Sequence, residues 1–127
     1  MGMTTMVSVG DRGFWAMDDA FSEWFTCLAD QIELESAQPW LRELAELWRV
    51  AALVSDYGAR FPSPSAEQLR VLHAIAVEAR RRVTDDRVLE VADGFLGLLD
   101  GTLPLDPPEG AWFLGTGRGF ETIELDR

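Results

Sequence analysis

The chain has 127 residues, 22 acids against 11 bases, one His, one Cys and a formal net charge of −11. That length suits one domain, and 47% hydrophobic residues supply an ordinary core, so disorder is not expected. A single Cys excludes an intramolecular disulfide and a four-cysteine zinc site, a single His excludes the HExxH metalloprotease motif, and the charge argues against unaided nucleic-acid binding.

The acidity is uneven. Residues 1–36 hold seven acids and one Arg, and residues 88–127 hold eight acids and two Arg. Between them, residues 37–64 balance at three and three, and residues 65–87 hold four acids and five Arg. Acidic ends therefore flank a neutral-to-basic middle, a pattern that bears on partners and association rates. No stretch approaches the ~20 apolar residues of a membrane span, and the first residues lack the charged and apolar regions of a secretory signal. The expected setting is cytoplasmic and reducing, with no membrane association and Cys27 a free thiol.

Thr4 to Val9 is a weak strand candidate. The spacing then predicts a helix from about Phe14 to Leu34, where Phe21, Trp24, Phe25, Leu28 and Ile32 form one apolar stripe. Asp18 and Asp19 stand near its start, where the helix dipole favours negative charge. A second helix opens at Pro39 and runs to about Tyr57, with Gly58 as its stop. Trp40, Leu44, Leu47, Trp48, Ala51 and Val54 make its expected buried face. Leu53 falls among the polar positions Arg42, Glu46, Arg49 and Asp56, which places it in solvent or in an interface.

A Pro/Ser break follows at Phe61 to Ser65. Ser65 and Gln68 have the spacing of a capping box, and a third helix runs from there to about Val83. Its stripe is Leu69, Leu72, Ile75, Ala76, Ala79 and Val83. Thr84 is the expected cap of a fourth helix with Asp85 and Asp86 in its first turn; Val88, Ala92, Phe95, Leu96 and Leu99 form the stripe, and Gly101 ends it. Residues 102–110 carry three prolines and read as an extended linker. Ala111–Leu114 and Phe120–Leu125, around a Gly115–Gly119 turn, read as a β-hairpin.

The expected architecture is a single domain over residues 1–127: mainly α, a four-helix bundle over about 14–101, with an extended C-terminal arm or β-hairpin over 111–127. The alternative is α+β, with a small sheet made from the N- and C-terminal segments.

Six features bear on function. Asp19, Glu23, Asp30 and Glu33 share one face of the first helix with Thr26, and no base on that helix neutralises them. This ladder reads either as a solvated face or as a docking surface for a basic partner, steered by charge. It has no EF-hand spacing and no di-iron Glu-x-x-His pair, so no metal is assigned to it. Gly94 and Gly97 lie on the expected wet side of the fourth helix and would admit a close backbone. The Arg80–Arg82 run with Arg70 and Arg87 has acids at pairing distance, Glu67 before Arg70 and Glu78 before Arg82, so internal pairing is the expected account. His73 sits at the border of its stripe, and Cys27 beside a buried one, so a packed, inert thiol is favoured over a catalytic pair. The glycine-rich Gly115–Gly119 lacks the helix and Gly-Lys-Ser/Thr of a phosphate loop. Trp15 and Trp112-Phe113 fall at element edges, as interface anchors or as caps on the core.

The functional expectation is a non-catalytic interaction protein, of the immunity-protein or adaptor type, binding a basic protein partner. The expected contact residues are Asp19, Glu23, Asp30, Glu33, Trp15, Leu53, Gly94 and Gly97. No catalytic residue, cofactor, metal or nucleic acid is expected. Two alternatives stand beside it: a small-molecule binder or enzyme with a pocket between helices, and a structural homo-oligomer that buries Leu53 and the glycine face.

Overall fold

The computed structural model describes residues 4–10, 12–54, 58–102, 111–115 and 120–124, with side chains for 5–10, 12–54 and 58–102. The order of elements is β1 (Thr4–Val9), β2 (Arg12–Met17), α1 (Asp18–Glu35), α2 (Pro39–Val54), β3 (Ala59–Phe61), α3 (Ala66–Arg80), α4 (Asp86–Asp100), β4 (Ala111–Gly115) and β5 (Phe120–Glu124). The protein is mainly helical with a small sheet. The four helices do not make a clear four-helix bundle, because α1 packs on α2, α3 and α4 while α4 rests on β1, β2 and β4.

The strand order is β3-β1-β2-β4-β5. β1 and β2 form an antiparallel hairpin in which Val9 pairs with Arg12, so the turn is two residues long. β3 runs parallel to β1, with Val7 opposite Ala59 and Val9 opposite Phe61. β4 and β5 form the antiparallel C-terminal hairpin, joined to β2 at Trp15 and Leu114. The hairpin expected from residues 111–125 is thus present, and Thr4–Val9 is a strand. That strand pairs with β2 and β3, whereas the C-terminal hairpin meets the sheet through β2. The expected linker is represented by Thr102 alone, since 103–110 lie outside the described residues.

The first helix starts four residues later than its periodicity suggested. Phe14 and Ala16 are buried while Trp15 and Met17 are half-buried, an alternation of period two that belongs to a strand. The backbone turns from β2 into α1 at Met17, whose side chain supplies no cap. Thr5 Oγ1 instead donates to Asp18 Oδ1 at 2.5 Å, tying the start of α1 to β1.

The core is built around α1. Phe21, Trp24, Phe25, Leu28 and Ile32, the stripe read from spacing, are all fully buried. Trp48 from α2 and Phe95 from α4 close over Phe25 edge-on, at centroid distances of 5.4 Å each, and Trp24 meets Phe95 at 6.2 Å. Such edge-to-face pairs add about 0.5–1.5 kcal/mol each beyond burial.

Ser65 caps α3 with the full capping box: its hydroxyl accepts from Gln68 N and the Gln68 side chain accepts from Ser65 N. α3 ends at Arg80, and the tighter bonds Arg82 N to Ala79 O and Val83 N to Arg80 O replace the expected last turn. Asp85, not Thr84, caps α4, because its carboxylate accepts from Arg87 N at 2.8 Å. Gly101 ends α4, as expected from sequence, donating its N–H to Gly97 O.

Gly58 positions β3. Its φ of +70° is left-handed, and a Cβ there would lie 2.5 Å from the Met6 carbonyl oxygen. Only glycine brings the chain this close to β1 after α2. Phe61 then tucks inward and stacks on Trp40 at 6.1 Å. Phe61 had been read as part of the Pro/Ser break; three residues are too few to show a strand period.

Candidate functional site

The acidic ladder is present on the exposed side of α1, but its charges are bridged from other helices. Arg87 of α4 forks onto Asp19 at 2.5 and 2.7 Å. That hydrogen bond holds the Asp19 carboxyl below its ordinary value, against a smaller opposing effect of burial. Arg49 of α2 reaches Asp30 at 2.6 Å and Glu33 at 2.9 Å, and bonds from Glu33 and then Asp30 raise the guanidinium pKa further. Glu23 is exposed and makes no ion pair among the described residues. The reading of an uncompensated acidic face therefore holds for α1 taken alone and fails once α2 and α4 are packed beside it.

Among the described residues the most exposed apolar surface lies on α2. Leu41, Leu44, Ala45, Trp48, Ala51 and Ala52 are buried. Leu53 is 85% exposed, Leu47 63%, Val50 50% and Val54 46%. Leu47 and Val54 were expected inside; the run Val50-Ala51-Ala52-Leu53-Val54 is apolar on every side, and the fold buries only its alanine side. Leu53 is exposed, as one of its two expected settings required.

Beside this face runs an open groove of about 700 Å³. Leu47, Val50 and Ala51 form its α2 wall, Gly58 and Arg60 the wall at β3, and Glu43 and Glu46 stand one turn earlier on α2. Its lining joins aliphatic side chains of α2 with the carboxylates of Glu43 and Glu46 and the guanidinium of Arg60.

Of the other expected contact residues, Trp15 is half-buried on β2, and Gly94 and Gly97 are buried rather than on a wet face. α4 lies against β1, β2 and β4, so its small residues serve packing within the fold. The structure brings Asp30 and Glu33 together through Arg49, with Leu53 one turn further along α2. Asp19 is held apart, at the α4 seam. Leu47, Val50, Val54 and Arg60 were missed. The five-residue apolar run was the available signal for Val50 and Val54, since a one-sided helix has no use for it.

Among the described residues no catalytic constellation forms around Cys27 or His73. Cys27 Sγ donates to Ala79 O at 3.5 Å, and burial raises the thiol pKa, which keeps it protonated. His73 Nε2 faces Asp100 Oδ2 at 3.6 Å. Asp100 also accepts from Thr102 Oγ1 at 2.6 Å, and this bond is the main cause of its lowered pKa. Cys27 and His73 are not joined to each other among the described residues. Most of the arginine run is paired internally, Arg80 with Asp93 at 2.6 Å, Arg81 with Glu78 at 3.7 Å, and Arg70 with Glu67, while Arg82 makes no ion pair among the described residues. Glu78 meets Arg81 rather than the expected Arg82. Among the described residues no group of three or more His, Cys, Asp or Glu is placed to hold a metal ion, and no helix is long and apolar enough to cross a membrane. The tip of the C-terminal hairpin, residues 116–119, and the side chains of Trp112 and Phe113 lie outside the described residues.

Comparison with known proteins gave no matching family model, no matching curated protein and no matching solved structure.

Proposed function

We propose that this chain is a non-catalytic binding protein that docks a basic protein partner on the outer face of α2, as an immunity protein or adaptor does. The observation that carries the reading is the cluster of Leu47, Val50, Leu53 and Val54, four exposed large aliphatic side chains on two turns of one helix. Monomeric proteins rarely expose contiguous apolar surface without a use for it. Charge selects the partner. Glu43 and Glu46 border the patch, and the chain carries −11 overall. A basic protein is attracted to such a surface, while a second copy of the chain brings another −11 and is repelled at long range. A reducing, cytoplasmic setting belongs to the same proposal, and the free Cys27 suits it.

The test is quantitative capture by the wild-type chain, Leu53→Asp and Glu23→Arg. The expected result is one basic protein held in near-equal amount by the wild type, weakened by at least about tenfold in Leu53→Asp, because a charge would be buried within the contact. Glu23→Arg removes an acid that has no internal partner to lose, so its effect reports the field alone. Retention that is indifferent to Leu53→Asp refutes the docking face. A concentration-dependent dimer that Leu53→Asp abolishes would assign the face to self-association instead.

A further inference from the structure

We infer that the groove between α2 and β3 receives an extended segment of the partner, added as a strand to the open edge of β3 and carrying an apolar and a basic side chain two residues apart, on one face of the strand. This rests on the binding role proposed above and specifies how the partner is held. Among the described residues β3 is the outermost strand of the sheet, with β1 on one side and no strand on the other. The direction of its backbone groups follows from one bond: Phe61 O accepts from Gly10 N at 2.7 Å, so the peptide groups of Phe61 face β1. Along a strand these groups alternate in direction, so the N–H and C=O of Arg60 point away from β1, to the open side. One donor and one acceptor are thereby presented as a template for a further strand.

The groove supplies side-chain selectivity. Leu47, Val50 and Ala51 stand opposite the β3 edge and accept an apolar side chain. Glu43 and Glu46 stand one turn along α2, where a basic side chain of the same segment would meet them. Pro62 and Pro64 follow β3 directly. Neither has an N–H to donate, so the template stops at Arg60 and propagates no longer sheet. The edge accepts a short segment and resists open-ended aggregation.

The probe is a capped synthetic peptide in which valine and lysine alternate at every second position with threonine between them, titrated into the isotopically labelled full chain. Its partner is the same peptide N-methylated at every residue, which keeps the side chains and removes the backbone donors. The expected result is binding that shifts the Leu47 and Val50 methyl signals, slows hydrogen exchange at the Arg60 amide and weakens roughly tenfold on N-methylation. Arg60→Pro should weaken binding while leaving the fold intact, because the lost N–H faces away from β1. Arg60→Ala keeps the N–H and removes a cation from the groove that a lysine-bearing segment enters, so it should bind at least as tightly as the wild type. Shifts on α2 without protection at Arg60, and with no effect of N-methylation, would overturn strand addition while leaving the docking face in place. Absence of binding into the millimolar range would overturn it as well, and capture of a basic protein by the wild type would then show whether the docking face itself survives.

Discussion

Gly58→Ala is the substitution that tests the geometry of the groove most directly, and Gly10→Ala is its internal control. Both glycines have left-handed φ, +70° at Gly58 and +64° at Gly10. A β-carbon in that region costs about 1 kcal/mol. At Gly10 nothing else lies within 4 Å of the added carbon, whereas at Gly58 it would lie 2.5 Å from the backbone oxygen of Met6. A backbone carbonyl cannot swing aside as a side-chain tip can, so β1 and β3 must separate locally, at about 1–3 kcal/mol more. Unfolding entropy of about 2.1 cal/mol/K per residue makes each kcal/mol worth about 4 °C in Tm at this chain length. The expected losses are therefore about 4 °C for Gly10→Ala and about 8–16 °C for Gly58→Ala, read by calorimetry on both variants side by side. Gly58→Ala should also weaken partner binding, since β3 is one wall of the groove. Equal melting shifts for the two variants would refute the close approach of Gly58 to β1.

Phe95→Ala removes the ring that links Trp24, Phe25 and Trp48, and its expected cost is about 3–5 kcal/mol by denaturant unfolding; Leu53→Ala, on an exposed site, should stay within about 0.5 kcal/mol. Comparable losses in the two would mean that the core is wrongly placed. The Arg87 hydrogen bond lowers the folded pKa of Asp19, so the stability it contributes is present above the ordinary carboxylate range and is lost as pH falls through the lowered value. Arg87→Ala should raise the Asp19 titration midpoint in carboxyl NMR, and an unmoved midpoint would show that the pair does not form in solution.

What was legible in the sequence is what depends on near neighbours along the chain. The Phe21–Ile32 stripe, the Ser65–Gln68 capping box and the Gly101 stop each involve residues within a few turns. The outcomes that differed depend on which elements become neighbours. Arg87 and Asp19 are 68 positions apart, and no local pattern joins them. In α2, the run Val50–Val54 offers two apolar sides, and periodicity cannot choose between them until α1 occupies one. Val54 reads as inward for that reason, and Leu47 because it lies three residues after Leu44 on the same stripe. Gly94 and Gly97 were assigned outward because a helix read as part of a bundle has a wet side, but α4 is covered by helices and by the sheet. β3 depends on Gly58 approaching Met6, a contact whose only local trace is a glycine after a helix.

The pairing of the ladder alters how the charge of the chain acts, and this sets what salt should do to folding and to partner capture. The Arg87–Asp19 and Arg49–Asp30 pairs are largely exposed, and exposed pairs contribute little to stability. Salt should therefore leave unfolding nearly unchanged. Pairing within the chain does not alter the net charge of −11, and the long-range field that this charge sets up falls off over a Debye length of ~8 Å at physiological salt. Salt acts on the encounter with a basic partner, through the association rate more than through the dissociation rate. If salt instead accelerated dissociation with little effect on association, the partner would be held mainly by short-range ion pairs. The weight of the contact would then move from Leu47, Val50 and Leu53 to Glu43 and Glu46.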